Sequence, residues 1–329
     1  MISRSERTLH IIEYHYVRDL PRSRFPRLKA LLADDFRRQV QALQAEFEMA
    51  TLDSALAFVK GSYEPARDLC LLTFDDGFRD HCDCVFPYLV ERSIQGVFFL
   101  ITSCLEGRVA AVHKNHFLMA ELGLESYRQR VLERLESRST IISDLDRDRA
   151  RATYRWDDDE VGQFKYLMNF VLPEPVRKSV LDELFAECFG SEPVFAADLY
   201  LNWAEAQEMQ QHGMAMGGHT HTHAVLSRLS PVEQWVDIGT STAMLRHCLD
   251  HQHLWPFSYP YGKADSFDQH TVRLLREMSY DCAFTTLPGT NLRRSDPFGL
   301  RRIDPKDTPV GTVSRVNSGV GLRQVAPVV

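Results

Sequence analysis

Short apolar runs alternate with amphipathic stretches along this chain, a pattern typical of α/β proteins. Residues 9–17 and 96–101 are predicted strands, and the continuous apolar run at 69–74 is typical of a parallel strand buried on both faces. Apolar residues recur at helical spacing from about Asp35, and Thr51 offers a hydroxyl cap for a short second helix. The first hundred residues therefore predict alternating strands and helices.

The same alternation resumes near residue 200. Asn202 is followed by Glu205 three positions later, and Ser230 is followed by Glu233, so each pair predicts the start of a helix. A proline directly after Ser230 supports the second of these helices, which should extend to about residue 249. The remaining predicted strands are 214–218, 256–259, 281–285 and 300–303, with a helix at 267–278.

Residues 105–200 interrupt this alternation. Charged residues and leucines recur there at helical spacing without a clear strand, as in ELGLESYRQRVLERLESR. We interpret the range as a helical insertion that acts as a lid, and a separate helical domain is the alternative. The predicted organisation is an α/β domain over 1–104 and 201–310, the insertion, and a C-terminal tail at 311–329 with little periodicity.

Composition and charge narrow the partners and the compartment. The net charge of −7 argues against nucleic acid or an anionic membrane surface as the main partner. No apolar stretch approaches the roughly 18 residues of a membrane span, and the N-terminus lacks the features of a signal peptide. The seven cysteines are scattered, which favours a reducing compartment. We therefore predict a cytoplasmic protein without membrane insertion, and the sequence does not indicate an oligomeric state.

Polar residues with chemical potential follow the predicted strands. In α/β barrels and in open parallel sheets, functional sites lie at the carboxyl ends of the strands. A random scatter of polar residues would not coincide with strand ends so often. The residues in these positions are His15, Asp75, Asp76, His219, His223, Tyr261 and Asp304.

Asp75 and Asp76 stand side by side after the buried apolar run, and Gly77 follows them. Two adjacent carboxylates on a tight turn can divide their work, one binding a metal and the other moving a proton. Taken alone, however, an Asp-Gly pair is also an ordinary turn signal.

Three histidines stand within five residues, at positions 219, 221 and 223. A metal site and an exposed polar loop both fit this cluster. If the segment turns helical after Gly218, His219 and His223 share a face and His221 points away; if it stays extended, all three share one side. We favour the helical turn. Two imidazoles and a carboxylate leave coordination positions open for water and substrate, as a metal-activated hydrolase requires.

The motifs TFDDG, GGHTHTHAVLS and FSYPYG, in this order, resemble those of the polysaccharide deacetylase family (NodB-like, carbohydrate esterase family 4). The resemblance covers residues 9–105 and 200–308. It implies a distorted (β/α) barrel with mostly parallel strands, a carbohydrate N-deacetylase activity and a divalent metal ion, with zinc as the expected ion. It implies Asp75 as the catalytic base, Asp76, His219 and His223 as metal ligands, Thr220 as the hydroxyl that steadies the histidine loop, and Tyr261 as the backbone donor to the oxyanion.

Two departures from the family pattern affect the catalytic assignment. Family members often have an arginine at the position of Ser258, where it positions the base, and Lys263 or Arg302 could replace it. The family also has a C-terminal histidine as general acid, which is absent here. We assign that role to His15, and a buried strand histidine bonded to a carbonyl is the alternative. No role is assigned to His113, His116, His247, His251, His253 and His270, which lack partner spacing.

The function implied is removal of an N-acetyl group from an amino-sugar substrate. A cytoplasmic location favours a small, nucleotide-linked or lipid-linked sugar from surface polysaccharide or glycoconjugate biosynthesis over a secreted polymer. Two alternatives remain. One is a deformylase or other amidohydrolase. The other is a catalytically silent glycan-binding protein, which the Ser258 departure and the absent C-terminal histidine favour and the intact Asp75 opposes.

Overall fold

The computed structural model describes residues 7–139 and 145–308, so the predicted tail at 311–329 lies outside the described residues. Within these two ranges the strands are short, and most belong to one sheet. The strands are β1 (Leu9–Tyr14), β2 (Val17–Arg18), β3 (Leu31–Leu32), β4 (Glu48–Met49), β5 (Leu69–Phe74), β6 (Gly96–Leu100), β7 (Ala215–Gly218), β8 (Pro256–Ser258), β9 (Cys282–Pro288) and β10 (Leu300–Arg302).

Helices connect these strands and fill the range between β6 and β7. Each helix of the described ranges is too short or too polar to cross a lipid bilayer. The helices are α1 (Ala33–Glu46), α2 (Leu52–Lys60), α3 (Phe86–Glu91), α4 (Thr102–Leu105), α5 (Ala111–Leu122), α6 (Leu124–Ser137), α7 (Arg147–Thr153), α8 (Asp159–Tyr166), α9 (Glu174–Phe189), α10 (Glu192–Leu199), α11 (Trp203–Gln211), α12 (Pro231–Cys248) and α13 (Gln269–Glu277).

The main sheet curls into a nearly closed barrel of parallel strands. Its order is β1-β5-β6-β7-β8-β9-β10, and β4 pairs with the start of β5. The last strand returns to the first, because Ile303 donates its backbone N–H to Ile11 and accepts one from Glu13. The predicted fold class, a distorted (β/α) barrel, is therefore confirmed.

The carboxyl ends of the parallel strands meet at one edge of the barrel. All six residues of β5 are buried, as the apolar run predicted, and β5 pairs with β1 through its whole length. The Asp75 backbone N–H continues this ladder by donating to the Tyr14 carbonyl at 2.9 Å. The aspartate pair is thereby held at the end of a fully paired central strand.

The range predicted as an insertion contains the helices α5 to α10 and packs against the barrel edge. One hydrophobic cluster combines barrel residues, such as Tyr16 and Phe78, with Phe117, Phe195 and Tyr200 from the inserted range. The chain then returns to the barrel, where the Leu201 N–H donates to the Gly77 carbonyl at 2.9 Å. The barrel and the inserted range thus share a hydrophobic core next to the loop that carries Asp75 and Asp76. The domain boundaries at 105 and 200 stay a prediction.

The first strand is shorter than predicted. It ends at Tyr14, and Val17 begins a separate two-residue strand that pairs with β3. His15 therefore lies in the break between two strands rather than inside one.

The predicted helix caps are confirmed, since the side chains of Thr51, Asn202 and Ser230 each cap the start of a helix.

Gly217 allows β7, the strand before the histidine loop, to pack closely between its neighbours in the barrel. A Cβ at this position would lie 2.6 Å from both Phe99 Cδ1 and the Pro256 carbonyl oxygen. The carbonyl belongs to the backbone of the neighbouring strand and cannot move independently. The close approach of β7 to β6 and β8 therefore requires glycine here.

We predict that Gly217→Ala lowers the free energy of unfolding by about 1–3 kcal/mol, because the added methyl overpacks the barrel wall. Gly239→Ala is the matched control, since a Cβ there meets only the flexible Met278 Cε at 3.4 Å and the residue lies in helix α12. That control should be neutral or stabilising by about 0.5–1 kcal/mol. Urea unfolding of both variants checks the pair, and equal stabilities would contradict the packing argument.

Candidate metal centre

Asp76, His219 and His223 meet at the carboxyl edge of the barrel. Asp76 Oδ1 lies 3.5 Å from His219 Nε2 and 3.5 Å from His223 Nε2. One ligand atom from each of the three residues lies within 4.8 Å of the others, and all three residues are buried. These are the residues named from the sequence as metal ligands, and the distances between them are those of a compact site.

The donor set fits a small divalent cation. Asp76 Oδ1 is buried and has no hydrogen-bond partner among the described residues, a costly state for an isolated carboxylate oxygen. Two ligands about 2.1 Å from a tetrahedral zinc ion would lie about 3.4 Å apart, close to the separations found here. Two imidazoles and one carboxylate are also a ligand set that zinc uses in hydrolases. The three residues therefore fit the implied metal ion.

The histidine loop is not helical, so the predicted helical turn is wrong. Residues 219–225 have irregular backbone, and Thr220 and His223 both adopt left-handed φ angles, 65° and 60°. The His223 N–H donates to Thr220 Oγ1 at 2.9 Å, which holds the loop closed. The His221 ring turns away to Thr102 Oγ1 at 2.9 Å. The structure thus brings His219 and His223 together with Asp76, as expected from the sequence, although the loop does not form the helical turn from which we chose these two histidines.

The orientation of the His219 ring is set by a backbone carbonyl. Its Nδ1 lies 2.7 Å from the Ser258 carbonyl oxygen, which can only accept, so Nδ1 carries the hydrogen. Nε2 is then left with its lone pair facing Asp76 Oδ1. This is the arrangement by which an outer hydrogen bond prepares a histidine as a metal ligand.

The second oxygen of Asp76 binds a histidine that the sequence did not identify. His113 Nε2 lies 3.1 Å from Asp76 Oδ2, and His113 Nδ1 lies 2.5 Å from the Tyr200 hydroxyl. His113 belongs to α5, which lies in the inserted range, 37 positions from Asp76. The spacing of neighbouring residues in the sequence cannot reveal a contact between two residues that are so far apart in the chain.

Asp75 is held by a buried arginine. Arg302 Nη1 donates to Asp75 Oδ1 at 2.8 Å and Nη2 donates to Oδ2 at 2.7 Å, in a bidentate pair. Ser258 Oγ donates to the same Oδ2 at 3.1 Å. Burial alone would raise the pKa of Asp75, but the Arg302 charge and then His219 outweigh it and hold the pKa below its usual range. Asp75 is therefore ionised over the working pH range.

Arg302 makes the contact to Asp75 that the resemblance led us to expect from an arginine at the position of Ser258. Of the two candidates from the sequence, Arg302 contacts Asp75, whereas no hydrogen bond or ion pair joins Lys263 to it within the described ranges. The arginine Nε lies 3.2 Å from Glu13 Oε2, and burial raises the pKa of Glu13 against the lowering effect of Arg302. The guanidinium thus lies between two buried carboxyl groups.

His15 lies beside Asp75 at the mouth of the site. Its Nε2 is 3.9 Å from Asp75 Oδ2, and its side chain is 45% exposed. The alternative, a buried strand histidine, does not describe this exposed ring. Among the described residues no hydrogen bond joins the His15 ring to a carbonyl, and the His15 carbonyl accepts from His81 Nε2 at 2.9 Å.

Tyr261 lies next to the metal-ligand set, in contact with the His223 ring. Its ring centroid is 5.0 Å from that of His223, and its φ angle is 62°, in the left-handed region. Within the described ranges no atom accepts a hydrogen bond from the Tyr261 backbone N–H. A side chain from the inserted range covers this residue, since Phe170 lies 5.1 Å from the Tyr261 ring.

Comparisons with known proteins agree with the resemblance seen in the motifs. The family model described as polysaccharide deacetylase matches residues 179–283, a range with His219, His223 and Tyr261 but without the aspartate pair. A curated Bacillus subtilis (strain 168) protein, "Putative polysaccharide deacetylase YxkH", is 28% identical over 104 residues. That match covers 32% of this chain and 36% of the relative, so it spans about a third of the curated protein.

Solved structures of deacetylases share the fold. The Streptococcus pyogenes deacetylase PplD, solved with acetate, aligns with a TM-score of 0.57 at 16% identity and covers 92% of this chain and 97% of its own. IcaB from Ammonifex degensii aligns with a TM-score of 0.52 at 20% identity, covering 90% and 93%. At these identities the likeness is one of fold. Together with the family model, these findings confirm the predicted resemblance.

We predict that Arg302→Met lowers the free energy of unfolding at pH 7 by about 3–5 kcal/mol, because it leaves two buried carboxylates without their cation. In the wild-type protein the lowered pKa of Asp75 contributes stability above the unfolded value, about 4, which is lost as the pH falls further. In the variant, burial raises that pKa, so protonation of Asp75 relieves the penalty as the pH falls. The difference in stability should therefore shrink from pH 7 towards pH 4.

Urea unfolding of wild type and variant across this pH range measures the effect. Arg301→Met on the same strand is the control, since Arg301 is exposed and its loss should change stability by less than about 0.5 kcal/mol. A difference for Arg302→Met that is small, or that is the same at every pH, would contradict the ion-pair account.

Proposed function

We propose, from the confirmed resemblance to the polysaccharide deacetylase family, that this chain is a metal-dependent hydrolase that removes an N-acetyl group from an amino-sugar substrate. The observation that carries the proposal is the division of labour between two adjacent carboxylates. Asp76 directs an unpartnered oxygen at two imidazole nitrogens, whereas Asp75 is bound by an arginine and remains outside that set. The predicted enzyme class, carbohydrate N-deacetylase, is supported by the family model and the related proteins.

Asp76, His219 and His223 would hold the cation, and we propose zinc because of the nitrogen and oxygen donors. When bound, it would act as a Lewis acid that lowers the pKa of water towards neutrality. Two of the three side chains are prepared for this, since His219 Nδ1 is occupied by a carbonyl and Asp76 Oδ2 by His113. His219 and Asp76 therefore each have one atom free for coordination, whereas His223 Nδ1 has no hydrogen-bond partner among the described residues.

Asp75 would accept the proton from the water that attacks the acetyl carbonyl. The bidentate Arg302 fixes the plane of the carboxylate and keeps it ionised, at the cost of a lower basicity. A weak base can work here only if the water is made acidic, which makes the base and the ligand set depend on each other.

Tyr261 would stabilise the oxyanion through its backbone N–H. The left-handed conformation at Tyr261 turns this group away from the regular sheet ladder and leaves it without an acceptor in the described chain. A single well-placed donor of this kind contributes roughly 3 kcal/mol to transition-state stabilisation. The contact between the Tyr261 and His223 rings supports this role, because it brings the residue next to the metal-ligand set.

His15 would protonate the leaving amine. The imidazole is partly exposed, lies next to Asp75 and sits at the opening of the site, where a departing amine would pass. Amines are poor leaving groups unless protonated, so a general acid is needed for an amide substrate.

The substrate we propose is a small, nucleotide-linked or lipid-linked N-acetyl sugar. Phe170 from the inserted range packs on Tyr261, and Arg228 lies over the Phe170 ring at 5.4 Å, so the site is covered on that side. A covered site suits a compact substrate better than a long polymer. The acyl group and the cytoplasmic location stay predictions, and parallel assays of acetate and formate release would separate a deacetylase from a deformylase.

The silent glycan-binding alternative loses one of its two supports. It rested on Ser258 standing where the family has an arginine and on the absent C-terminal histidine, and Arg302 contacts Asp75 and Ser258 from another strand. The base is therefore held in place despite the departure.

We predict that a chelator abolishes acetate release from a nucleotide-linked N-acetylhexosamine and that zinc restores it. Asp75→Asn and Asp76→Asn make a matched pair. Asp75→Asn should retain bound zinc while its kcat falls about 100- to 10,000-fold, because the base is lost. Asp76→Asn should lose both zinc and activity. Metal analysis and acetate assays check the pair, and equal zinc content in the two variants would refute the proposed division.

We predict that His15→Gln lowers kcat/KM for the N-acetyl sugar by about 100-fold, because the amine must leave protonated. An activated aryl acetate ester has a leaving group that needs no proton, so its hydrolysis should change by only a few-fold. Steady-state kinetics with both substrates measure the contrast. An equal loss on amide and ester would show that His15 has some other role.

A further inference from the structure

The Asp76 carboxylate is hydrogen-bonded by a residue of the inserted range. Asp76 Oδ2 is 3.1 Å from His113 Nε2, while Asp76 Oδ1 faces the two ligand histidines. His113 comes from α5, so the contact crosses from the inserted range to the aspartate loop.

The hydrogen-bond directions in this chain of contacts can be assigned from chemistry. A carboxylate can only accept, so His113 Nε2 carries the hydrogen and donates to Asp76. His113 Nδ1 then accepts from the Tyr200 hydroxyl at 2.5 Å, and the Tyr200 oxygen accepts from the Ala110 N–H at 3.3 Å. The Tyr200 hydroxyl therefore fixes the tautomer of His113, and the hydrogen on His113 Nε2 points at Asp76 Oδ2.

Packing fixes the His113 ring in this position. His113 and Tyr200 are each 1% exposed. The Phe78 ring lies 4.8 Å from the His113 ring, and Tyr16 makes an edge contact at 5.9 Å. Because both ring nitrogens have partners and aromatic rings pack against the buried imidazole, His113 has little freedom to turn.

Both nitrogens of His113 are engaged, which argues against its being a fourth ligand. Nε2 is used by Asp76 and Nδ1 by Tyr200. If Asp76 were not held, its carboxylate could rotate and present both oxygens, or neither, to the two imidazoles. The contact therefore selects one oxygen for coordination and one for the protein.

We propose that His113 and Tyr200 are positioning residues that hold Asp76 as a single-oxygen metal ligand, and that the inserted range is thereby part of the metal centre. This inference rests on the proposed metal binding at Asp76, His219 and His223, but not on the identity of the substrate. It gives the inserted range a role beyond that of a lid. Loss of an outer contact of this kind typically weakens metal binding about 10- to 100-fold.

The test measures metal affinity directly in the full-length protein. Zinc binding by competition with a chromophoric chelator is compared for wild type, His113→Leu, His113→Gln and Tyr200→Phe. His113→Leu should bind zinc about 10- to 100-fold more weakly, and His113→Gln should recover most of the loss, because its side-chain amide can still donate to Asp76. Tyr200→Phe should give a smaller loss. The visible spectrum of the cobalt(II) forms reports whether the ligand geometry changes.

His116→Leu is the matched control. His116 lies on the same helix and contacts the Tyr16 hydroxyl at 3.5 Å rather than Asp76, so its variant should bind zinc within about twofold of wild type. Wild-type affinity in His113→Leu, or equal losses in His116→Leu and His113→Leu, would overturn the proposal, as would a wild-type protein that binds no zinc. If His113→Leu does not fold, Tyr200→Phe carries the test: it should bind zinc more weakly than His116→Leu, and equal affinities of these two variants would overturn the proposal.

Failure of the proposed function has a different signature. A protein whose zinc affinity depends on His113 but which releases no acetate would support the positioning role and refute the deacetylase activity. An active enzyme whose zinc affinity is unchanged by substitution of His113 and Tyr200 would support the deacetylase activity and refute the positioning role.

Discussion

Two neighbouring carboxylates, buried side by side, impose the constraint on which this structure depends. Asp75 is 1% exposed and Asp76 is 3% exposed, so each negative charge needs its own compensation. Arg302 supplies it for Asp75, in a bidentate pair that crosses the barrel interior. Asp76 has His113 on one oxygen, and the other oxygen faces the two loop histidines without a hydrogen-bond partner among the described residues. In the proposed function this unequal compensation separates the proton acceptor from the metal ligand.

Strained backbone accompanies the same site. Asp76, Thr220, His223 and Tyr261 all have φ angles between 60° and 78°, a region that non-glycine residues rarely adopt. Each lies just beyond a strand of the barrel, where the chain must turn a functional group back over the edge. The parallel sheet, with its paired central strand, provides the rigid support that holds these turns. Four of the eight left-handed non-glycine residues among the described ones thus lie at the candidate site.

Much of the barrel was predictable because its signals are local. The apolar run of β5, the caps at Asn202 and Ser230, and the polar residues after strands are all read from a few neighbouring positions. The histidine loop was harder, since its conformation depends on Thr220 and on left-handed backbone rather than on helical periodicity. His113 could not be found in this way, because its partner is 37 positions distant and the contact exists only once the inserted range packs on the barrel. Arg302 could be named only as one of two candidates for the same reason.

The most direct test of the central claim is anomalous X-ray diffraction at the zinc absorption edge, from crystals of the protein grown with zinc. The account predicts one strong peak about 2.0–2.2 Å from Asp76 Oδ1 and from Nε2 of His219 and His223, with Asp75 outside the coordination shell. The absence of a peak there, or a zinc ion held by Asp75 instead of Asp76, would contradict it.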